Sequence, residues 1–250
     1  MLQLPLQRFL ACLRRESLGL LEIGLPSVCL LCRQSLTRPG TFCSTCLHEM
    51  RPVTSPRCPR CDLPFAALDG SDHLCQPCTL LPPPFLWARS AGLYQDSLRR
   101  AVQRLKFQGD FNLDRPLAGL MRSVLQQSLE AYEADLLVPV PLFRRRLRRR
   151  GFNQALLLAR ALRLEGLPVA ARLLRRVRDT APQSGLKAIQ RRQNLRGAFE
   201  MERSLRGERV LLLDDVMTTG ATARECSRVL LAGGAGAVAV AVLARASLHG

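Results

Sequence analysis

The chain has 250 residues, 47% of them hydrophobic, and a formal net charge of +17. That length accommodates one domain of about 150 residues plus a smaller module, and the apolar share excludes a disordered chain. The charge, which comes mainly from arginine, favours polyanionic partners, either nucleic acid or phosphorylated metabolites, without choosing between them.

Residues 1–24 carry leucines at helical spacing, interrupted by Arg8, Arg14, Arg15 and Glu16. The pattern predicts an amphipathic helix, because no apolar run nears the ~18 residues that span a bilayer. Nor is there a short apolar core between a basic start and a small-residue cleavage site, so the segment does not read as a signal peptide. The expectation is a chain without a membrane span, resident in the cytoplasm.

Residues 25–80 hold eight of the ten cysteines. They form four C-x-x-C knuckles, Cys29/Cys32, Cys43/Cys46, Cys58/Cys61 and Cys75/Cys78, separated by 10, 11 and 13 residues. Two intervening residues let both thiolates of a pair converge on one metal, and two pairs complete the tetrahedral sulfur shell of Zn²⁺. Eight thiolates imply two zinc ions, with no coordination site left for water, so the module reads as structural. Sequential and crossed pairings both stay open. Disulfides are the alternative in an oxidising compartment, and an iron–sulfur cluster is another. His48 and His73 lie beside full shells and read as surface histidines, while Cys12 and Cys226 read as ordinary thiols.

Leu81-Pro82-Pro83-Pro84 is a stiff connector, and residues 86–250 form the second domain. Short apolar runs there alternate with helical stretches, which predicts an α/β fold around a parallel sheet. Three strands are expected at Asp135–Val140, Val210–Leu213 and Ala237–Leu243, each apolar enough to be buried on both faces. Helices are expected at Asn153–Leu164 and Thr222–Leu231, the second ended by Gly233, Gly234 and Gly236.

The stretch Val210–Thr222, VLLLDDVMTTGAT, sets two acids at the end of a buried strand and a hydroxyl- and glycine-rich turn before a helix. The free N–H groups of a helix start can cradle a phosphate, and Gly220 lets backbone approach it closely, so Thr218, Thr219, Gly220, Ala221 and Thr222 are candidate phosphate ligands. Asp214 and Asp215 would repel a bare polyphosphate but suit the hydroxyls of a ribose. Helix capping by Thr219 alone is the plain alternative.

These thirteen residues resemble the fingerprint of type I phosphoribosyltransferases that bind 5-phosphoribosyl 1-diphosphate (PRPP). The resemblance implies a central parallel sheet flanked by helices, a 5'-phosphate on Thr218–Thr222, Asp214 and Asp215 on the ribose hydroxyls, and Mg²⁺ on the diphosphate. More narrowly, the four knuckles, Pro139-Val-Pro141, Arg149-Arg-Gly-Phe-Asn153-Gln154 and the fingerprint together resemble the ComF family of competence-associated proteins, over residues 25 to 245. That likeness implies a type I phosphoribosyltransferase fold with a small N-terminal double zinc ribbon. It implies diphosphate binding near Arg149, Arg150, Asn153 and Gln154, and a flap carrying Gln183, Arg191 and Asn194. Arg150 joins the two acids as a catalytic candidate, since departing diphosphate needs cationic donors.

Two functions follow. One is Mg²⁺-dependent transfer of a phosphoribosyl group from PRPP to a nitrogen nucleophile, with Trp87, Tyr94 and Phe107 as candidate walls of the acceptor pocket, although for Trp87 alone core packing is the favoured reading. The other is a non-catalytic protein that handles single-stranded DNA during DNA uptake, alongside a competence-machinery partner. The run Arg144–Arg150, with six arginines in seven positions, exceeds what one diphosphate can use and suits the second reading or a solvated face.

Overall fold

A computed structural model of the chain describes residues 27–65, 70–180 and 194–247. The helix expected over 1–24, Cys12 and the flap residues Gln183 and Arg191 lie outside the described residues. Two compact units divide between Glu49 and Met50, so the second group of four cysteines belongs to the larger unit. Among the described residues no helix is long and apolar enough to cross a membrane.

The two cysteine groups are built alike. In the smaller unit Cys29 donates its N–H to Gln34 O (2.8 Å), Arg33 N–H returns to Cys29 O (2.9 Å), and Val28 bridges Ser35. In the larger unit Cys58 N–H meets Leu63 O (2.8 Å), Asp62 N–H meets Cys58 O (2.9 Å), and Arg57 bridges Pro64. The fourth residue after the first cysteine turns left-handed in both, Arg33 at φ 64° and Asp62 at φ 58°. In each group the last cysteine sits in a short helix, α1 (Ser44–Glu49) or α2 (Gln76–Leu80).

The larger unit is organised on four parallel strands, β1 (Ala88–Leu93), β2 (Leu136–Pro139), β5 (Arg209–Met217) and β6 (Ala237–Arg245), in the order β1-β6-β5-β2. The central pair is buried nearly throughout, which explains its unbroken apolar runs. The helices α4 (Asp114–Tyr132) and α6 (Gln154–Leu162) pack on the sheet and on each other. Val210, Leu212, Val238 and Val240 form one core with Cys226 and Leu230 of helix α7 (Ala221–Ala232), and the four cysteines from Cys58 to Cys78 join that core. A separate antiparallel pair, β3 (Leu174–Arg176) and β4 (Phe199–Met201), completes the strands among the described residues.

Helix α7 ends at the expected glycines. Gly234, at φ 99°, lies so close to the segment between β4 and β5 that a Cβ there would stand 2.2 Å from Leu205 O, a distance no side chain tolerates. Strand β5 runs four residues beyond its expected end at Leu213, because β6 stays alongside as far as Arg245 and keeps pairing it. Asp214 and Asp215 therefore belong to the paired strand.

Candidate functional site

Parallel strands deliver their carboxyl ends to one edge, where open α/β sheets bind ligands. Asp214 and Asp215 of β5 reach this edge, and beside them lies the loop after β2. Helix α3 (Asp96–Gln103) continues into a π turn, Arg104–Gln108, whose Lys106 Nζ donates to Asp215 Oδ2 at 2.9 Å. Asp215 is 8% exposed, and its Oδ1 also accepts Val216 N–H at 2.8 Å.

The environment splits the charges of this cluster. Burial, reinforced by the neighbouring Asp215 carboxylate, raises the Asp214 carboxyl to about 7. Burial opposes the Lys106 ammonium, but the ion pair with Asp215 and the nearby Asp214 outweigh it and hold the amine above its ordinary value.

The turn after β5 leads into α7 through Gly220, at φ 74°. A Cβ at Gly220 would meet nothing nearer than Met217 Cε at 3.7 Å, so the left-handed backbone, not crowding, asks for glycine. Arg224 N–H bonds Gly220 O at 2.9 Å, and the turn sets the start of a helix, the end that favours an anion, at the edge of the acids. The Thr219 hydroxyl is buried without a hydrogen-bond partner, at a cost of about 1–3 kcal/mol that a ligand oxygen or a water would relieve.

Lys106 also lines an open cleft of about 530 Å³, together with Phe107, Phe111, Arg149, Arg150 and Phe152. Phe107 is 70% exposed, the Arg150 guanidinium stands 5.7 Å over its ring, and Phe111 meets Phe152 edge-on at 4.9 Å. Arg144–Arg150 forms helix α5, none of whose residues is buried. Asn153 is taken up by its own loop: its Oδ1 accepts Ala155 N–H and its Nδ2 donates to Val140 O, both at 3.0 Å. It caps α6 and ties that helix to the end of β2, so it shapes the loop. Gln154 is buried, with its Nε2 unpaired, and Asn194 borders the segment that is not described.

Trp87 takes the packing role favoured for it. It sits at the amino end of β1, edge-on to Tyr132 at 5.5 Å, where the Tyr132 hydroxyl bonds Val210 O. That is the opposite edge of the sheet from the acids, so Trp87 packs and walls no acceptor pocket. Tyr94 follows the carboxyl end of β1, with its N–H on Arg245 O. Lys106 was not foreseen, although it is one of only two lysines in the chain.

Both cysteine groups fit zinc. Cys29, Cys32, Cys43 and Cys46 bring their sulfurs within 4.8 Å of one another, and so do Cys58, Cys61, Cys75 and Cys78. This is the sequential grouping. The gaps Cys32–Cys43 (3.6 Å) and Cys61–Cys75 (3.5 Å) approach the ~3.8 Å edge of a tetrahedron with ~2.3 Å Zn–S bonds. In the second group burial and the neighbouring Cys61 push Cys75 up to about 11, while hydrogen bonds from Cys61 and Cys78 lower Cys58. Four thiolates cannot coexist there without a cation, which zinc would supply while leaving no open position for catalysis. His73 stacks on Phe65 at 4.0 Å and Cys226 is buried in α7.

Two family models match the chain: a double zinc ribbon domain over residues 20–79 and a phosphoribosyl transferase domain over residues 152–248. Competence protein F of Haemophilus influenzae is 35% identical over 226 residues, which cover 87% of this chain and 96% of that protein. The chain belongs to the ComF family. The DNA utilization protein YhgH of Salmonella typhimurium is 37% identical, over 89% of this chain and 99% of that protein. Competence protein ComFC of Bacillus subtilis is 28% identical, over 82% and 88%. This ComF member thus has a phosphoribosyltransferase fold with zinc-ribbon cysteine clusters before it.

Proposed function

We propose that this ComF-family protein binds PRPP and transfers its phosphoribosyl group to a nitrogen nucleophile. The observation that carries the reading is the juxtaposition of Asp214, Asp215 and Lys106 with a left-handed glycine turn that opens a twelve-residue helix. The 5'-phosphate accepts from the N–H groups and hydroxyls of Thr218–Thr222, and the two acids accept from the ribose hydroxyls. Arg149 and Arg150 face the departing diphosphate, with Gln154, Gln183, Arg191 and Asn194 as further candidate contacts. Mg²⁺ on the diphosphate would spread the charge that develops as the bond at ribose C1 breaks. The nitrogen lone pair forms the new bond at C1, diphosphate leaves with the old bonding pair, and the nitrogen releases its proton to solvent.

Isothermal titration of the zinc-loaded protein with PRPP and Mg²⁺ tests this reading, with Asp214→Asn/Asp215→Asn beside the wild type. Binding by the wild type that is lost in the variant is expected. A folded wild type that takes up no heat overturns the reading.

A second reading, the handling of single-stranded DNA, draws on the arginine face of α5 and the exposed Phe107 and Phe111 beside it. A basic track beside aromatic platforms suits single strands, and the names of the relatives point the same way.

A further inference from the structure

Arg245 ends β6 at the carboxyl edge of the sheet and is 2% exposed. Its Nε donates to Cys61 O at 2.9 Å and its Nη1 to Met217 O at 3.0 Å. Nη1 also reaches the carbonyls of Thr218 and Ala246, and Nη2 stands 3.9 Å from Cys61 Sγ. One guanidinium thus holds a cysteine of the second group and the first residues of the phosphate turn. Arg224, in the first turn of α7, forms a second arm, its Nη2 4.0 Å from Cys78 Sγ and its backbone N–H 2.9 Å from Gly220 O. Between the arms Cys61, Cys75, Cys78, Thr219 and Gly220 line a single small cavity of about 70 Å³.

A buried guanidinium is costly unless its donors are met and its charge is countered. Carbonyl dipoles meet the Arg245 donors, and the cysteine group supplies the countercharge, because four thiolates outweigh the charge of one zinc ion. Metal loss would free Cys61 from its fixed place. The fork of Arg245 would then lose one of its two anchors.

We propose that the centre formed by Cys58, Cys61, Cys75 and Cys78 positions the phosphate turn, with Arg245 as the strut and Arg224 as a second arm. Metal loading fixes Met217–Gly220, and a ligand seated on that turn in return retards release of the metal, as linkage requires. The inference rests on Thr218–Thr222 being the phosphate seat, but its physical core, a turn held by a metal centre, can be measured without any ligand.

The experiment is amide hydrogen exchange of the full chain, followed at Met217–Thr222 while a chelator removes zinc stepwise. Cys29→Ser/Cys32→Ser, which lacks the first centre, serves as the control. Exchange in the turn is expected to rise about tenfold when the second zinc leaves, and to be the same with or without the first. Arg245→Lys keeps the positive charge but cannot span both anchors. With its second zinc retained, as counted by native mass spectrometry, it should show the same rise and a roughly tenfold weaker affinity for PRPP. A turn as protected in Arg245→Lys as in the wild type overturns the proposal, as does a turn that follows only the first zinc. If stripping the second zinc unfolds the larger unit, the zinc-loaded Arg245→Lys result decides alone. A wild type that never binds PRPP would refute the ligand assignment and leave the exchange result standing.

Discussion

At Asp214 two influences oppose ionisation, burial and the carboxylate of Asp215, and together they carry the group to about 7. Between the ordinary carboxylate range and that value the folded chain holds a proton that the unfolded chain has released. Folding stability therefore falls as pH rises through the window, and above it the ionised acid is a net cost. Asp214→Asn is expected to raise Tm by a few degrees at pH 8, with the gain shrinking toward pH 5, in thermal melts at the two pH values. An equal gain at both would rule out suppressed ionisation of Asp214 as its origin. The acids themselves were legible, because an Asp-Asp pair after four apolar residues and before Thr-Thr-Gly is a rare local pattern. Lys106 was not. Its partner lies 109 residues away, and nothing in Leu-Lys-Phe-Gln distinguishes an amine aimed at a carboxylate from one in water.

Legibility of whole elements followed how much of their residues' character packing alone decides. Strands β2, β5 and β6 were readable because burial on both faces leaves apolar runs. Strand β1, Ala-Arg-Ser-Ala-Gly-Leu, was not, because its residues answer to particular neighbours. Ser90 serves the buried Asp62, whose Oδ2 accepts from both its N–H and its hydroxyl. Gly92 faces Arg51 O, which a Cβ would approach to 2.7 Å. Helix α5 presents another case: its composition announced charge but not which arginines are spoken for. Arg146 donates to Thr180 O and Arg145 pairs with Asp179 at 3.6 Å, whereas Arg144, Arg148 and Arg149 are exposed. If α5 meets nucleic acid, the triple change of those three to alanine should lower the slope of log affinity against log salt by about one for each phosphate that the helix no longer neutralises. Fluorescence anisotropy with a labelled single strand between 50 and 200 mM salt, roughly the range over which such binding weakens most visibly, measures it. An unchanged slope would assign the face to solvent.

For the molecule as a whole, the two cysteine groups read as twins in the sequence but belong to different compact units. Cys32 is exposed, whereas all four cysteines of the second group are buried. A chelator should therefore take the first zinc well before the second. The single tryptophan, Trp87, packed on Tyr132 in the larger unit, should keep its emission through the first loss and change at the second. Simultaneous release with one change in emission would contradict this order. The bond between Arg245 and Cys61 joins residues 184 positions apart, and that separation bears on how the protein comes into being. A ribosome releases the cysteine knuckles well before strand β6. A chain stopped just before Arg245 would contain both cysteine groups, both acids and the whole phosphate turn, yet lack the guanidinium that ties the turn to Cys61. Quality control acting on such fragments would meet a phosphate turn with its residues in place and its strut to the cysteine group missing.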